Sequence, residues 1–199
     1  LDGKDAWNKW AAKNPDAKVD FAGFDFSDYD QVSFQFFNFP EGKNSVSFRG
    51  AKFGDGDIDF SNATFGDGDV NFKNATFGKG DVTFKRTQFG DGAVSFKKTN
   101  FGDGVVDFSE ARFGDGNVDF LSARFGDGDV SFTDVSFGDG DVSFSRAVFG
   151  EGNICFSNTS FGPGSVDLYY AKFCNSSIYF DRANFGNSSV TFIQAIFDG

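Results

Sequence analysis

From Phe53 onward, large apolar residues fall at alternating intervals of seven and five. The first phenylalanine of each twelve-residue unit recurs at 53, 65, 77, 89, 101, 113, 125, 137, 149, 161, 173, 185 and 197. The second recurs at 60, 72, 84, 96, 108, 120, 132, 144 and 156, gives way once to Leu168, and resumes at Phe180 and Phe192. Two residues before each stands a smaller side chain. It is Ile58, Val70, Val82 or Val94 before the second phenylalanine, and Ala63, Ala75, Thr87 or Thr99 before the first. An apolar pair at i and i+2 with a polar residue between has the period of a strand. Each unit therefore predicts two short strand-like sides, Val-x-Phe and Ala-x-Phe. The seven-residue step contains Gly-Asp-Gly, as at Gly54-Asp55-Gly56 and Gly66-Asp67-Gly68. Glycine tolerates positive φ and aspartate caps turns locally, so this step predicts a corner.

No single unit can bury its own rings. Stacked on copies of itself, it buries a continuous column and pairs its backbone with the coils on either side. Phe60, Phe65, Phe72, Phe77, Phe84, Phe89, Phe96, Phe101, Phe108 and Phe113 are thereby assigned to the core. A coil of one unit leaves little room for two phenylalanines, a valine and an alanine. A coil of two units, twenty-four residues, gives four sides, and this is the preferred reading over a twelve-residue coil.

Composition narrows the function. Phenylalanine supplies 32 of 199 residues, and glycine supplies 26 without the three-residue period of collagen. The chain has no histidine, which removes the commonest general base and metal ligand. Its two cysteines, Cys155 and Cys174, sit at different phases of the repeat and are expected as free thiols. No apolar run approaches the length of a membrane span. Carboxylates are abundant, but they repeat identically from unit to unit, so none is singled out for catalysis. No enzyme, no cofactor and no catalytic residue is expected.

The small-x-Phe-x-x pattern resembles the pentapeptide-repeat family. Ala22-Gly-Phe24-Asp-Phe26-Ser-Asp and Asn62-Ala63-Thr-Phe65 carry the resemblance, as does the opening Asp5-Ala-Trp7-Asn-Lys-Trp10 through Phe21. The resemblance implies an all-β fold, a right-handed quadrilateral β-helix. This chain departs from the family by stepping five and seven instead of five and five, so two of the four corners are expected to bulge. Some members present an acidic rod to type II topoisomerases in competition with DNA. A net charge of −11 makes that an alternative here, although Lys73, Lys79, Lys85, Arg86, Lys97 and Lys98 interrupt the acidity. Direct binding of nucleic acid is not expected.

The ends differ from the middle. Residues 4–13 read as a short amphipathic helix with Trp7, Trp10 and Ala11 on one face, stopped by Asn14-Pro15. Trp7 and Trp10 are expected to cap the open edge of the first coil. The domain reading is a capping helix and linker over 1–18 and one solenoid over 19–199. Between residues 26 and 53 the register loosens, which corner loops of variable length explain. At the other end Ile193 and Ile196 are expected to face outward. With Phe197 they form an apolar last coil suited to a homodimer or filament.

Three surface features remain. Asp55, Asp67, Asp91, Asp103, Asp115, Asp127 and Asp139 recur at corners; stacked at one strand spacing, ~4.8 Å, they are weak candidates for Ca²⁺. As turn formers on a solvated edge they need no metal. Tyr169, Tyr170 and Tyr179 occupy outward positions, as does Leu121, and are candidate contact residues. The leading functional reading is a structural or protein-interaction scaffold that self-associates end to end. The topoisomerase mimic and a Ca²⁺-binding surface or filament protein are the alternatives.

Overall fold

The computed structural model describes residues 3–198. They form a parallel β-solenoid preceded by one helix, Gly3–Lys13. Leu1, Asp2 and Gly199, the outer ends of the two ranges assigned from sequence, lie outside the described residues.

The coil is twenty-four residues. Val46 pairs with Val70, Val70 with Val94 and Val94 with Val118, all parallel. Four faces follow one another around each coil. The first is an eight-stranded ladder through Val19 and Val190, and the third is a seven-stranded ladder from Val32 to Ile178. The second and fourth are held mainly by single bridges, such as Thr76 to Asn100 and Gln88 to Arg112. The first coil is longer: Val19 pairs with Val46 and Val32 with Ile58. Its extra residues fall at the same two corners that carry Gly-Asp-Gly later, between Phe26 and Phe34 and between Phe39 and Phe48.

Each face sends one phenylalanine column inward. Phe48, Phe72, Phe96, Phe120 and Phe144 stack along the first face, with neighbouring ring centroids 4.8–5.1 Å apart. Leu168, buried, continues that column. Rings of the first and third columns meet edge to face, as Phe72 and Phe84 do at 5.4 Å. The two geometries are those that the ring quadrupole favours, offset stacking and T-shaped contact. Valine or isoleucine fills the gap beside the rings on the first and third faces. Alanine or threonine does so on the second and fourth, with Val135 once in their place. Each buried threonine hydroxyl has a partner: Thr87, Thr99 and Thr159 donate to the carbonyls of Phe60, Phe72 and Phe132 at 2.7–2.8 Å. No buried side-chain polar atom among the described residues lacks a partner, so the narrow core bears no desolvation penalty from an orphaned group.

The corners correct the sequence reading. Left-handed backbone sits at the short corners and, Gly102 apart, not at the Gly-Asp-Gly ones. There the turn closes with a bond such as Ala63 N–H to the Phe60 carbonyl, 3.0 Å, and its third residue has positive φ. Asn62 and Asn74 suit that position, but Arg86, Lys98, Glu110, Ser122, Asp134, Arg146 and Tyr170 hold it too, with φ of 55–61°. Each non-glycine residue there costs roughly 1 kcal/mol, offset by turn and coil-to-coil hydrogen bonds. Of the glycines in the repeated Gly-x-Gly corners, only Gly102 has positive φ. The others are glycine because successive coils touch backbone to backbone. A Cβ on Gly92 would overlap the Gly68 carbonyl and lie 2.8 Å from the Asp67 carbonyl oxygen.

The helix covers part of the first coil. Trp7 packs on Phe37 and Phe39, with ring centroids 5.8 and 5.7 Å away, and donates its indole N–H to the Asn38 carbonyl at 2.9 Å. Asn8 acts as a strand surrogate. Its amide donates to the Phe36 carbonyl at 3.0 Å, and its oxygen accepts the Asn38 N–H at 2.8 Å. Trp10 does not share the buried face; it is 40% exposed and leans on Trp7 at 5.1 Å. Phe24 and Phe37 occupy positions where later coils hold alanine, such as Ala51 and Ala63. There they fold over the end of the ring columns.

Candidate interaction surfaces

A filled interior leaves chemistry only on the outside. The two long corners lie diagonally opposite, and the aspartates divide between them. Asp55, Asp103 and Asp127 line the corner between the second and third faces; Asp67, Asp91, Asp115 and Asp139 line the corner between the fourth and first. Backbone-to-carboxylate bonds join them coil to coil. Asp67 accepts the Asp91 N–H at 3.4 Å, and Asp115 accepts that of Asp139 at 3.2 Å. A second column makes shorter bonds. Asp81 accepts the Val105 N–H at 2.8 Å, and Asp129 accepts that of Asn153 at 2.7 Å. Where the β ladder lapses at a corner, carboxylates take over its hydrogen bonding. The Ser165 hydroxyl and N–H, both donating to Asp141, hold that carboxyl below its ordinary range. Among the described residues, no group of three or more Asp, Glu, Cys or His is gathered closely enough to hold a metal ion.

The basic residues grouped in sequence are separated by the coil. Lys73, Lys97 and Lys98 fall at the corner between the first and second faces, Lys85 and Arg86 at the corner between the third and fourth, and Lys79 at an acidic corner. Arg86 donates both Nε and a terminal nitrogen to Glu110 one coil on, at 2.7 and 3.0 Å. That pair raises the Arg86 pKa and lowers that of Glu110. It crosses an open groove of about 550 Å³ lined also by Asn62, Gln88, Arg112 and Asp134. Both partners are solvated, so the pair contributes little stability.

The tyrosines are separated as well. Tyr169 and Tyr170 meet edge to face at 4.4 Å on the corner between the first and second faces, and Tyr170 is 40% exposed. Burial and the adjacent Tyr170 raise the Tyr169 pKa. Tyr179 lies on the third face, paired with Cys155. Leu121, half-buried, stands two coils before Tyr169 in one column of backbone hydrogen bonds. Both cysteines are free and half-buried. Cys155 lies in a hydroxyl row, accepting from Thr133 and donating to Ser157, each at 3.2 Å. Burial pushes its thiol up, but these bonds outweigh burial and the pKa falls.

The last coil presents Phe192, Ile193, Ile196 and Phe197, each exposed by at least 42%. Phe197 stacks on Phe173 at 4.9 Å with its other side open. No described helix is long and apolar enough to cross a membrane.

No protein-family model matches the chain. No curated protein matches it either. Among solved structures the chain is similar to HetL, a pentapeptide repeat protein involved in heterocyst differentiation regulation in the cyanobacterium Nostoc. The match covers 95% of this chain and 94% of that one, at 10% identity and a TM-score of 0.18. So loose a superposition adds no weight to the fold, which rests on the twenty-four-residue register and the buried ring columns.

Proposed function

We propose that the chain is a non-enzymatic repeat scaffold that engages proteins through its outer surface and self-associates end to end through its last coil. The observation that carries this reading is the contrast between the two sides of the wall. Inside, phenylalanine columns leave no cleft where catalytic groups could converge. Outside, the last coil keeps an apolar face whose rings have the same shape as those that each earlier coil buries under the next. A second copy docked there buries these apolar side chains.

Light scattering in 1 M NaCl, where exposed charge pairs are screened, tests this on the wild type and on Ile196→Asp/Phe197→Asp. The wild type is expected to exceed its monomer mass of 21.6 kDa increasingly with concentration, and the variant to stay at that mass. A wild type that remains monomeric over the whole series overturns end-to-end association.

A further inference from the structure

Two positions that the repeat makes geometrically equivalent carry different chemistry. The residue after each phenylalanine of the first and third faces lies over its own face, beside the outward strand residue of the next coil. Ser61 reaches Thr83 at 3.4 Å and Ser109 reaches Ser131 at 2.9 Å. On the third face this position is a short hydroxyl at Ser61, Ser109, Thr133 and Ser157, and Gln35, Lys85 and Asp181 hold it in the other coils. On the first face it is Ala22 in the first coil, then Arg49, Lys73, Lys97, Leu121, Ser145, Tyr169 and Ile193. Backbone bonds from Gly50 to Lys73, Asn74 to Lys97 and Lys98 to Leu121 stack them into a single rail. Folding imposes the same demands on both faces, so it does not account for the difference.

The opposite edge of the first face follows the same sequence of chemistry. Beside the basic part of the rail, the corner carries Glu41 together with Lys43, then Asp67 and Asp69, then Asp91. Beside Tyr169 and Ile193 it carries no charge, but Pro163 with Ser165, then Asn187 with Ser189. Between the two edges the face is low: Ser47, Asn71, Ser95 and Ser143. Arg49, Lys73 and Lys97 form no ion pair among the described residues.

We infer that the first face is a self-recognition surface on which two copies pack side by side, with rods parallel, about a two-fold axis along the rod. That axis sets the rail of each copy against the acidic corner of the other, coil for coil. Arg49 faces Glu41, Lys73 faces Asp67 and Asp69, Lys97 faces Asp91, and Tyr169 faces Pro163. The shared coil rise keeps every pair in register, which no polymer of different repeat can do. An antiparallel two-fold sets the acidic corner against itself. The match lapses where Lys43 stands beside Glu41, at Leu121, which faces Asp115, at Ser145, which faces Asp139 and Asp141, and at Asp119 and Asp167, which meet their own copies. Ionic strength has an optimum. Near 0.01 M the Debye length of about 30 Å lets the two net charges of −11 repel, and near 1 M a length of about 3 Å dissolves the pairs. Association peaks near 0.15 M.

This surface deepens the scaffold reading by naming a partner, and it is independent of end-to-end docking, because Ile196→Asp/Phe197→Asp leaves it intact. Oxidative cross-linking at 0.15 M salt tests it in a Cys155→Ser/Cys174→Ser background. Ser47→Cys and Thr191→Cys, at opposite ends of the face, are each expected to link to their own copy. Adding Lys73→Glu/Lys97→Glu lowers linking at least ~10-fold with the fold unchanged by circular dichroism. Ser131→Cys, its counterpart on the third face, is the control. Linking of Ser47→Cys only to Thr191→Cys, or equal linking at Ser131→Cys, overturns the inference. So does a chain that stays monomeric and instead binds single-stranded DNA through Lys73 and Lys97.

Discussion

Replacing Phe120 by alanine is expected to destabilise the protein by about 3–5 kcal/mol, read from urea unfolding. The ring is fully buried and stacks between Phe96 and Phe144, both at 4.9 Å. It also meets Phe108 and Phe132 edge to face at 5.7 Å. Alanine leaves a gap lined by these four rings and by Phe125, 6.1 Å away, which are held in the stacked columns and cannot close in. Phe120→Leu is expected to cost only about 1 kcal/mol, because shape changes that largely keep volume are tolerated best and Leu168 already fills the same column two coils later. A loss below about 1 kcal/mol for the alanine variant contradicts a core of rigid stacked columns. Each coil touches only its neighbours, so the damage is expected to stay local, separating two halves that remain folded.

The second large effect is at a corner. Gly92→Ala is expected to destabilise by about 2–3 kcal/mol, since its Cβ meets the backbone of the preceding coil rather than a side chain that can turn away. Gly50→Ala is the comparison. There φ is +65° and nothing lies within 4 Å of the new Cβ, so the loss is the conformational cost alone, about 1 kcal/mol. If the order of the two is reversed, the long corners need glycine for its dihedral angle, and close coil contact is not the reason for it.

That distinction marks how far the sequence could be read. The ring positions were legible because one residue type repeats at a fixed interval and alternates with small side chains, so the core and the parallel stacking followed directly. The corners were legible as corners, but for the wrong reason. Glycine signals both positive φ and close approach, and only the coordinates separate the two at Gly92. Arg86, Lys98 and Glu110 give no sequence signal for left-handed backbone; their place is set by the turn and by the coils on either side. Phe24 and Phe37 read as ordinary repeat members, although they stand where alanine belongs and close over the first coil. Asn8 looked like any helix surface residue until its side-chain amide was seen bonding the Phe36 carbonyl and the Asn38 N–H.

The outer surface was less legible still. Basic residues close in sequence were grouped, yet a twenty-four-residue coil sends Lys73 and Lys85 to different corners and brings Lys73 beside Lys97. The complementarity of rail and corner on the first face emerges only when positions twenty-four apart are aligned.

The most direct test of the account is the distance between spin labels on Ser47→Cys and Thr191→Cys, measured in the same cysteine-free background and diluted with unlabelled protein. The two positions lie on one ladder, joined step by step through Asn71, Ser95, Asp119, Ser143 and Asp167. Six coils of ~4.8 Å place the backbones about 29 Å apart. A single distance near that value is the expected result. A distance near 58 Å, which twelve-residue coils require, or a broad distribution contradicts the four-faced solenoid on which the core, the corners and the proposed surfaces all depend.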